Sequence, residues 1–239
     1  MGELLMKEDE LSVALTDSLS SDISDAVSGL VEVGLDSIME DGLLKDIPFV
    51  STAMALYKIG NSIAERHNVK KLVVFLNSIN TNTVDKDERE KHIRAISVDP
   101  KKRSEELEYV LVIIDRYLGY EKPDMLAKLY LAYLNGHITW KEFALYAEIT
   151  DRFIVGDYEM LMSDADNYTT SYDNYDESVF RLAALGLIIE SSSTSAFQEH
   201  SGNLGISIQS LTRVSKGVKE YKRTSLGNKF ISIMKGIEK

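Results

Sequence analysis

Val179-Phe180-Arg181-Leu182-Ala183-Ala184-Leu185-Gly186-Leu187-Ile188 and, after a Ser/Gly-rich stretch, Tyr221-Lys222-Arg223-Thr224-Ser225-Leu226-Gly227-Asn228-Lys229-Phe230-Ile231 decide how the end of this chain is read. The first run places apolar residues at helical spacing, then a glycine suited to a helix stop and a short β-prone exit. The second begins as a strand and reaches Thr224, a residue type that caps helix N-termini, before a new apolar helical face. Gly202-Asn203-Leu204-Gly205 between them is turn chemistry for a hairpin. The implied order is helix, short strand, hairpin, capped final helix.

That order resembles a winged helix, so the expected fold is mainly α: a helical array followed by a small winged-helix-like α+β domain at residues 178–239. Just before it, residues 164–177 change character, with Asp, Asn, Thr and spaced tyrosines and almost no aliphatic residues, and read as a linker. The Asp164-Ala165-Asp166 start suggests a calcium loop, but its sixth position is Thr169 rather than Gly and its twelfth Tyr175 rather than Glu. Calcium binding is excluded on both counts.

Residues 46–163 read as a helical domain. Ile47 to Tyr57 is a charge-free run of eleven residues, where a membrane span needs about twenty, so a core helix is expected, with contact at a membrane surface through residues 47–63 as the sharper alternative. Val69–Leu76 suits strand or helix locally and takes helix from its neighbours. Asp85-Lys86-Asp87-Glu88 and Asp99-Pro100 each open a helix. Leu126 to Leu134 mark another, stopped by Asn135-Gly136, and Thr139-Trp140-Lys141-Glu142 is a capping box for the return helix; Ile149 to about Met162 extends the helical array.

Residues 1–45 form an acidic amphipathic segment. Leu11, Leu15, Leu19, Ile23, Val27, Val31, Leu35 and Met39 recur every four positions, one apolar stripe on a long helix. Its other face is Ser, Thr and Asp, poor helix formers, so the helix depends on docking its stripe, either on its own domain or on a partner. The stripe is a candidate regulatory or oligomerising element.

The formal charge is −11 but uneven: residues 1–45 carry eleven acids against two bases, and residues 213–239 two acids against eight bases. Nucleic acid could therefore be met only by the basic end, with Arg213, Lys216, Lys219, Lys222, Arg223 and Lys229 as candidate contacts to phosphate or to a protein partner. The helix near Asp176–Leu185 that would enter a groove argues against DNA reading, since it holds a lone Arg181 among Ala, Leu, Val and Phe.

Catalysis finds little support. With no cysteine, disulfides, thiolate metal sites and cysteine nucleophiles are excluded. His67, His92, His137 and His200 lack metal-ligand spacing and read as ordinary surface or helix-end residues; Glu105-Glu106, Asp115 and Glu142 read as acids of solvated helix faces. No phosphate loop, Rossmann fingerprint or nucleophile elbow occurs, and no catalytic residue, cofactor or metal is assigned. The acidic start lacks a signal peptide's basic region, so a cytoplasmic location is expected.

Leu43-Leu44-Lys45-Asp46-Ile47-Pro48, the Leu/Tyr-rich helical array and the Leu-Gly-Leu-Ile … Thr-Ser-Leu-Gly ending together resemble bacterial helical proteins with a winged-helix-like C-terminus, some grouped as Abi-alpha-like abortive-infection (phage-defence) proteins. The resemblance covers residues 41–239. It implies a non-metabolic role in defence or stress and carries no catalytic residues. The reading is a non-enzymatic interaction or regulatory protein that binds a protein partner or itself, with a nucleic-acid-binding regulator and a membrane-associating effector as rivals.

Overall fold

The computed structural model describes residues 10, 12–19, 47–57, 63–81, 86–163, 167–170, 176–191 and 219–236. Among these the chain is mainly helical, with one small three-stranded antiparallel sheet. It divides into two compact units, Met1–Asp151 and Arg152–Lys239.

In the first unit a helical segment at residues 12–19 precedes α1 (Pro48–Tyr57), α2 (Ile63–Thr81), α3 (Lys86–Ser97), α4 (Pro100–Arg116), α5 (Glu121–Leu134) and α6 (Trp140–Arg152). Local chemistry sets the ends. The Asp99 side chain accepts from the Lys102 amide ahead of Pro100, satisfying a free donor of the first turn. Thr139 and Glu142 close the capping box on α6, with the Thr139 amide on Glu142 Oε2 at 2.8 Å and the Glu142 amide on Thr139 Oγ1 at 3.3 Å. The core forms where α2 crosses α5: Leu72, Phe75, Leu76 and Ile79 are buried, as are Leu126, Leu129 and Tyr130. Burial on this scale resolves the ambiguity of Val69–Leu76 in favour of helix.

The second unit runs through a 3₁₀ turn (Val155–Asp157), α7 (Tyr158–Met162), β1 (Asn167–Thr170), α8 (Glu177–Ala184), β2 (Ile188–Ser191), β3 (Lys219–Arg223) and α9 (Ser225–Lys235), with sheet order β1-β3-β2. Within the stretch from Ile149 to Met162, α6 stops at Arg152 before the 3₁₀ turn and α7 resume the helical array. The reason is burial: Phe153 is 1% exposed and its ring lies 6.1 Å from that of Phe230.

Part of the stretch read as linker is strand β1. Tyr168 and Thr170 point inward, opposite Tyr221 and Lys219 of β3, and Tyr and Thr favour a half-buried strand. The Tyr168 hydroxyl donates to Leu161 O, which ties α7 to the sheet.

Candidate functional site

The basic end is the site that composition singles out, and its geometry starts at α8. Asp176 caps that helix, its Oδ1 accepting from the Ser178 amide at 2.9 Å. Val179 and Leu182 then face the core, which turns Arg181 toward Asp157. The guanidinium forks onto that carboxylate, Nε to Oδ2 at 2.8 Å and Nη2 to Oδ1 at 2.6 Å, and Nη1 reaches Glu177 Oε2 at 3.2 Å. Asp157 is only 1% exposed, so it depends on this partner. Hydrogen bonding from Arg181 is the main cause holding the Asp157 carboxyl below its ordinary range, with Ser178 adding to it against the opposing pull of burial. The lone base of α8 is thus spent inside the unit.

The β3 bases follow the same tendency. Arg223 Nε donates to the Tyr168 hydroxyl at 2.8 Å, its Nη2 donates to Ser163 O, and the guanidinium lies over the Tyr168 ring. Lys219 pairs with Glu190 across β2 at 2.9 Å, both side chains about half exposed, a contact of small energetic weight. Lys222 is solvent-exposed between Asn167 and Ile189, and Lys229 is half-buried on α9. Arg213 and Lys216 lie outside the described residues.

The two short motifs of this unit meet each other. α8 ends in a glycine stop: Gly186 has φ of 74°, its amide bonds Ala183 O, and the Leu187 amide bonds Leu182 O. Leu187 O then accepts from the Thr224 amide at 3.0 Å. The Thr224 hydroxyl donates to Gly186 O at 2.7 Å and caps α9 by accepting from the Gly227 amide. Gly227 packs so tightly there that a Cβ would overlap Leu187 O. Leu-Gly-Leu-Ile and Thr-Ser-Leu-Gly are two halves of one backbone junction.

In the helical unit, sequence reasoning missed the main polar cluster. Its centre is Glu106, which the sequence alone places among acids of a solvated face but which is 4% exposed. Its Oε1 accepts from the Tyr130 hydroxyl at 2.8 Å and lies 2.8 Å from His92 Nε2, while Oε2 accepts from Tyr133 at 3.3 Å. The signal was available: Glu106 falls on the Arg103–Leu107–Val110–Ile114 face that α4 buries. Burial first, then Glu106, pushes the Tyr130 and Tyr133 hydroxyls above their ordinary range. His92, read as a surface histidine, is an internal partner here.

His67 works likewise at the turn after α4, its Nε2 2.8 Å from Leu118 O and its Nδ1 2.9 Å from the Tyr120 hydroxyl. Because a carbonyl only accepts, Nε2 carries the proton. Lys71, 1% exposed, donates to Asp115 O and Tyr117 O, satisfying carbonyls where α4 ends. Burial lowers its pKa, opposed by Asp115.

Of the N-terminal stripe, Leu15 and Leu19 are buried in their own unit at 0% and 1% exposure; Leu11, Ile23, Val27, Val31 and Leu35 lie outside the described residues. Ile47, Phe49 and Val50 are also buried. Among the described residues no helix is long and apolar enough to cross a membrane, and no group of three or more His, Cys, Asp or Glu is placed to hold a metal ion.

Large apolar side chains do reach solvent beside the α4–α6 junction. The Tyr109 hydroxyl donates to Ala144 O, and its ring lies 5.4 Å from Trp140. Val112, one turn on, is 58% exposed, and Leu145 is 47% exposed. Comparisons of the chain with protein-family models, curated proteins and solved structures find no match.

Proposed function

We propose that this chain is a non-enzymatic protein-association factor, with a bacterial defence or stress role as its sequence resemblance implies, and with a C-terminal unit that is winged-helix-like and faces protein rather than nucleic acid. The observation that carries the choice is the Arg181–Asp157 fork: the helix that would enter a DNA groove commits its one cation internally. The winged-helix-like reading is supported by the order β1, α8, β2, β3, α9 and the sheet order β1-β3-β2. Val112 and Leu145 supply apolar area of the kind protein partners bury, and a winged-helix-like frame by itself favours neither partner class.

The nucleic-acid rival keeps one specific point, the exposed Lys222 on β3. The test is a mobility shift with random duplex DNA and RNA at low and moderate salt, on the wild type and on Lys222→Glu combined with Arg213→Glu and Lys216→Glu. Association through protein predicts no salt-sensitive shift in either chain. A shift at low salt that the charge reversals abolish transfers the function to the rival.

A further inference from the structure

The outer face shared by α4 and α6 carries a charge pattern that reverses from end to end. The Tyr109 hydroxyl donates to Ala144 O and, two turns further along both helices, Arg116 pairs with Asp151, so α4 and α6 run side by side in the same direction. Away from the core, Glu108, Val112 and Arg116 follow one another four residues apart on α4. Lys141, Leu145 and Glu148 do so at steps of four and three on α6, and all six residues are exposed.

Each apolar residue thus stands between an acid and a base, and the order is opposite on the two helices. On α4 it is acid, Val112, base; on α6 it is base, Leu145, acid. Within either helix the opposite charges are two turns apart, about 10–12 Å along the axis, beyond the three- or four-residue spacing at which helical charges pair. Pairing along the helix does not account for the pattern. Glu108 accepts from the Ser104 hydroxyl, and Arg116 is shared with Asp151, yet the Arg116 side chain remains 54% exposed.

A two-fold axis crossing both helices near Val112 and Leu145 lays this face on its own complement. Glu108 meets Arg116 of the second copy, Lys141 meets Glu148 of the second copy, and like apolar side chains meet at the centre. The facing helices are then antiparallel, so their dipoles attract; an axis along the helices would match the charges but set the dipoles parallel.

We infer that the α4–α6 face is a self-association surface whose partner is a second copy of this chain, docked antiparallel about that crossing axis. This rests on the association reading above and gives that reading its partner. With two large apolar side chains per copy at its centre, the interface belongs with the small, reversible ones, forming at about 10–100 µM.

Sedimentation velocity on the full chain, from about 1 to about 500 µM, tests this. The wild type passes from monomer to dimer across that range, and Leu145→Asp, at an exposed site, stays monomeric with unchanged helical circular dichroism. Lys141→Glu and Glu148→Lys each weaken the dimer about tenfold, because a two-fold interface contains each charge pair twice. Lys141→Glu/Glu148→Lys restores it, since the exchanged charges again face their opposites. A wild type monomeric throughout, a dimer indifferent to Leu145→Asp, or a charge exchange no better than the single reversals overturns the inference. A monomeric chain that still crosslinks to another protein through Val112 or Leu145 in cells leaves the association reading standing; a monomer with no protein adduct overturns both.

Discussion

Replacing Glu106 by leucine strands the hydroxyl of Tyr130, a residue with 0% exposure whose only acceptor in the cluster is Glu106 Oε1. An unsatisfied buried hydroxyl costs about 1–3 kcal/mol. His92, whose side chain is 15% exposed, and Tyr133, which is half-buried, recover part of their loss by turning to water. Glu106→Leu is therefore expected to destabilise the helical unit by about 2 kcal/mol, and Tyr130→Phe by about 1.5–3 kcal/mol, since it removes a hydrogen bond to a charged acceptor. The double variant removes both partners together, and its cost falls below the sum of the singles by about 1–3 kcal/mol. The assay is urea unfolding followed by the fluorescence of Trp140, the single tryptophan, whose ring lies 5.3 Å from Tyr133. Single-variant midpoints drop by about 2–4 °C per kcal/mol in a parallel thermal scan. Additivity of the two substitutions within about 0.3 kcal/mol would refute the view that Glu106 and Tyr130 form one buried unit.

Further outcomes follow from the same geometry. Gly227→Ala drives a Cβ into Leu187 O and is expected to cost the C-terminal unit about 1–3 kcal/mol, read as faster exchange of the α9 amides; unchanged exchange contradicts the junction. Burial keeps the Tyr117, Tyr130 and Tyr133 hydroxyls above their ordinary range and pushes Tyr146 up to about 12. These groups stay neutral when folded and ionise near 10 when unfolded, so stability is full below that value and falls as pH rises beyond it. Their phenolate absorbance should then rise together with loss of helix. Asp157 titrates below its ordinary range when folded; its contribution is present above the unfolded value of about 3.9 and is lost as pH falls. Asp157→Asn should thus be less stable than wild type at neutral pH, with the gap narrowing below about pH 4; a gap independent of pH counts against the Arg181 pairing.

Where one residue's local chemistry sets an outcome, the sequence is informative. Asp99-Pro100, the Thr139–Glu142 box and Thr224 each name a helix start, because a capping side chain needs only a backbone amide two or three residues away. The eleven-residue apolar run at Ile47–Tyr57 is too short to span a bilayer on length alone. What escapes local reading depends on distant partners. Asp164–Asp176 reads as a loop because Asn, Asp and Thr favour turns, yet Tyr168 and Thr170 gain their strand from β3, some fifty residues on. Arg181 looks available until Asp157 lies opposite it. Glu106 looks solvated until the helix that bears it is placed against Tyr130 and Tyr133. Ser18 gives no hint that its hydroxyl caps α1, because the Phe49 amide comes near only after folding. The basic end shows the same limit: composition marks its charges, but only geometry tells that Arg223 is tied to Tyr168 and Ser163 while Lys222 stands free in solvent.

Photo-crosslinking in cells tests protein association most directly, with a benzophenone amino acid placed in turn at Val112, Leu145 and Lys222. The account predicts that Val112 and Leu145 give the same defined protein adduct, insensitive to nuclease, and that Lys222 gives no nucleic-acid adduct. Adducts from Lys222 that nuclease removes, with none from Val112 or Leu145, would contradict it.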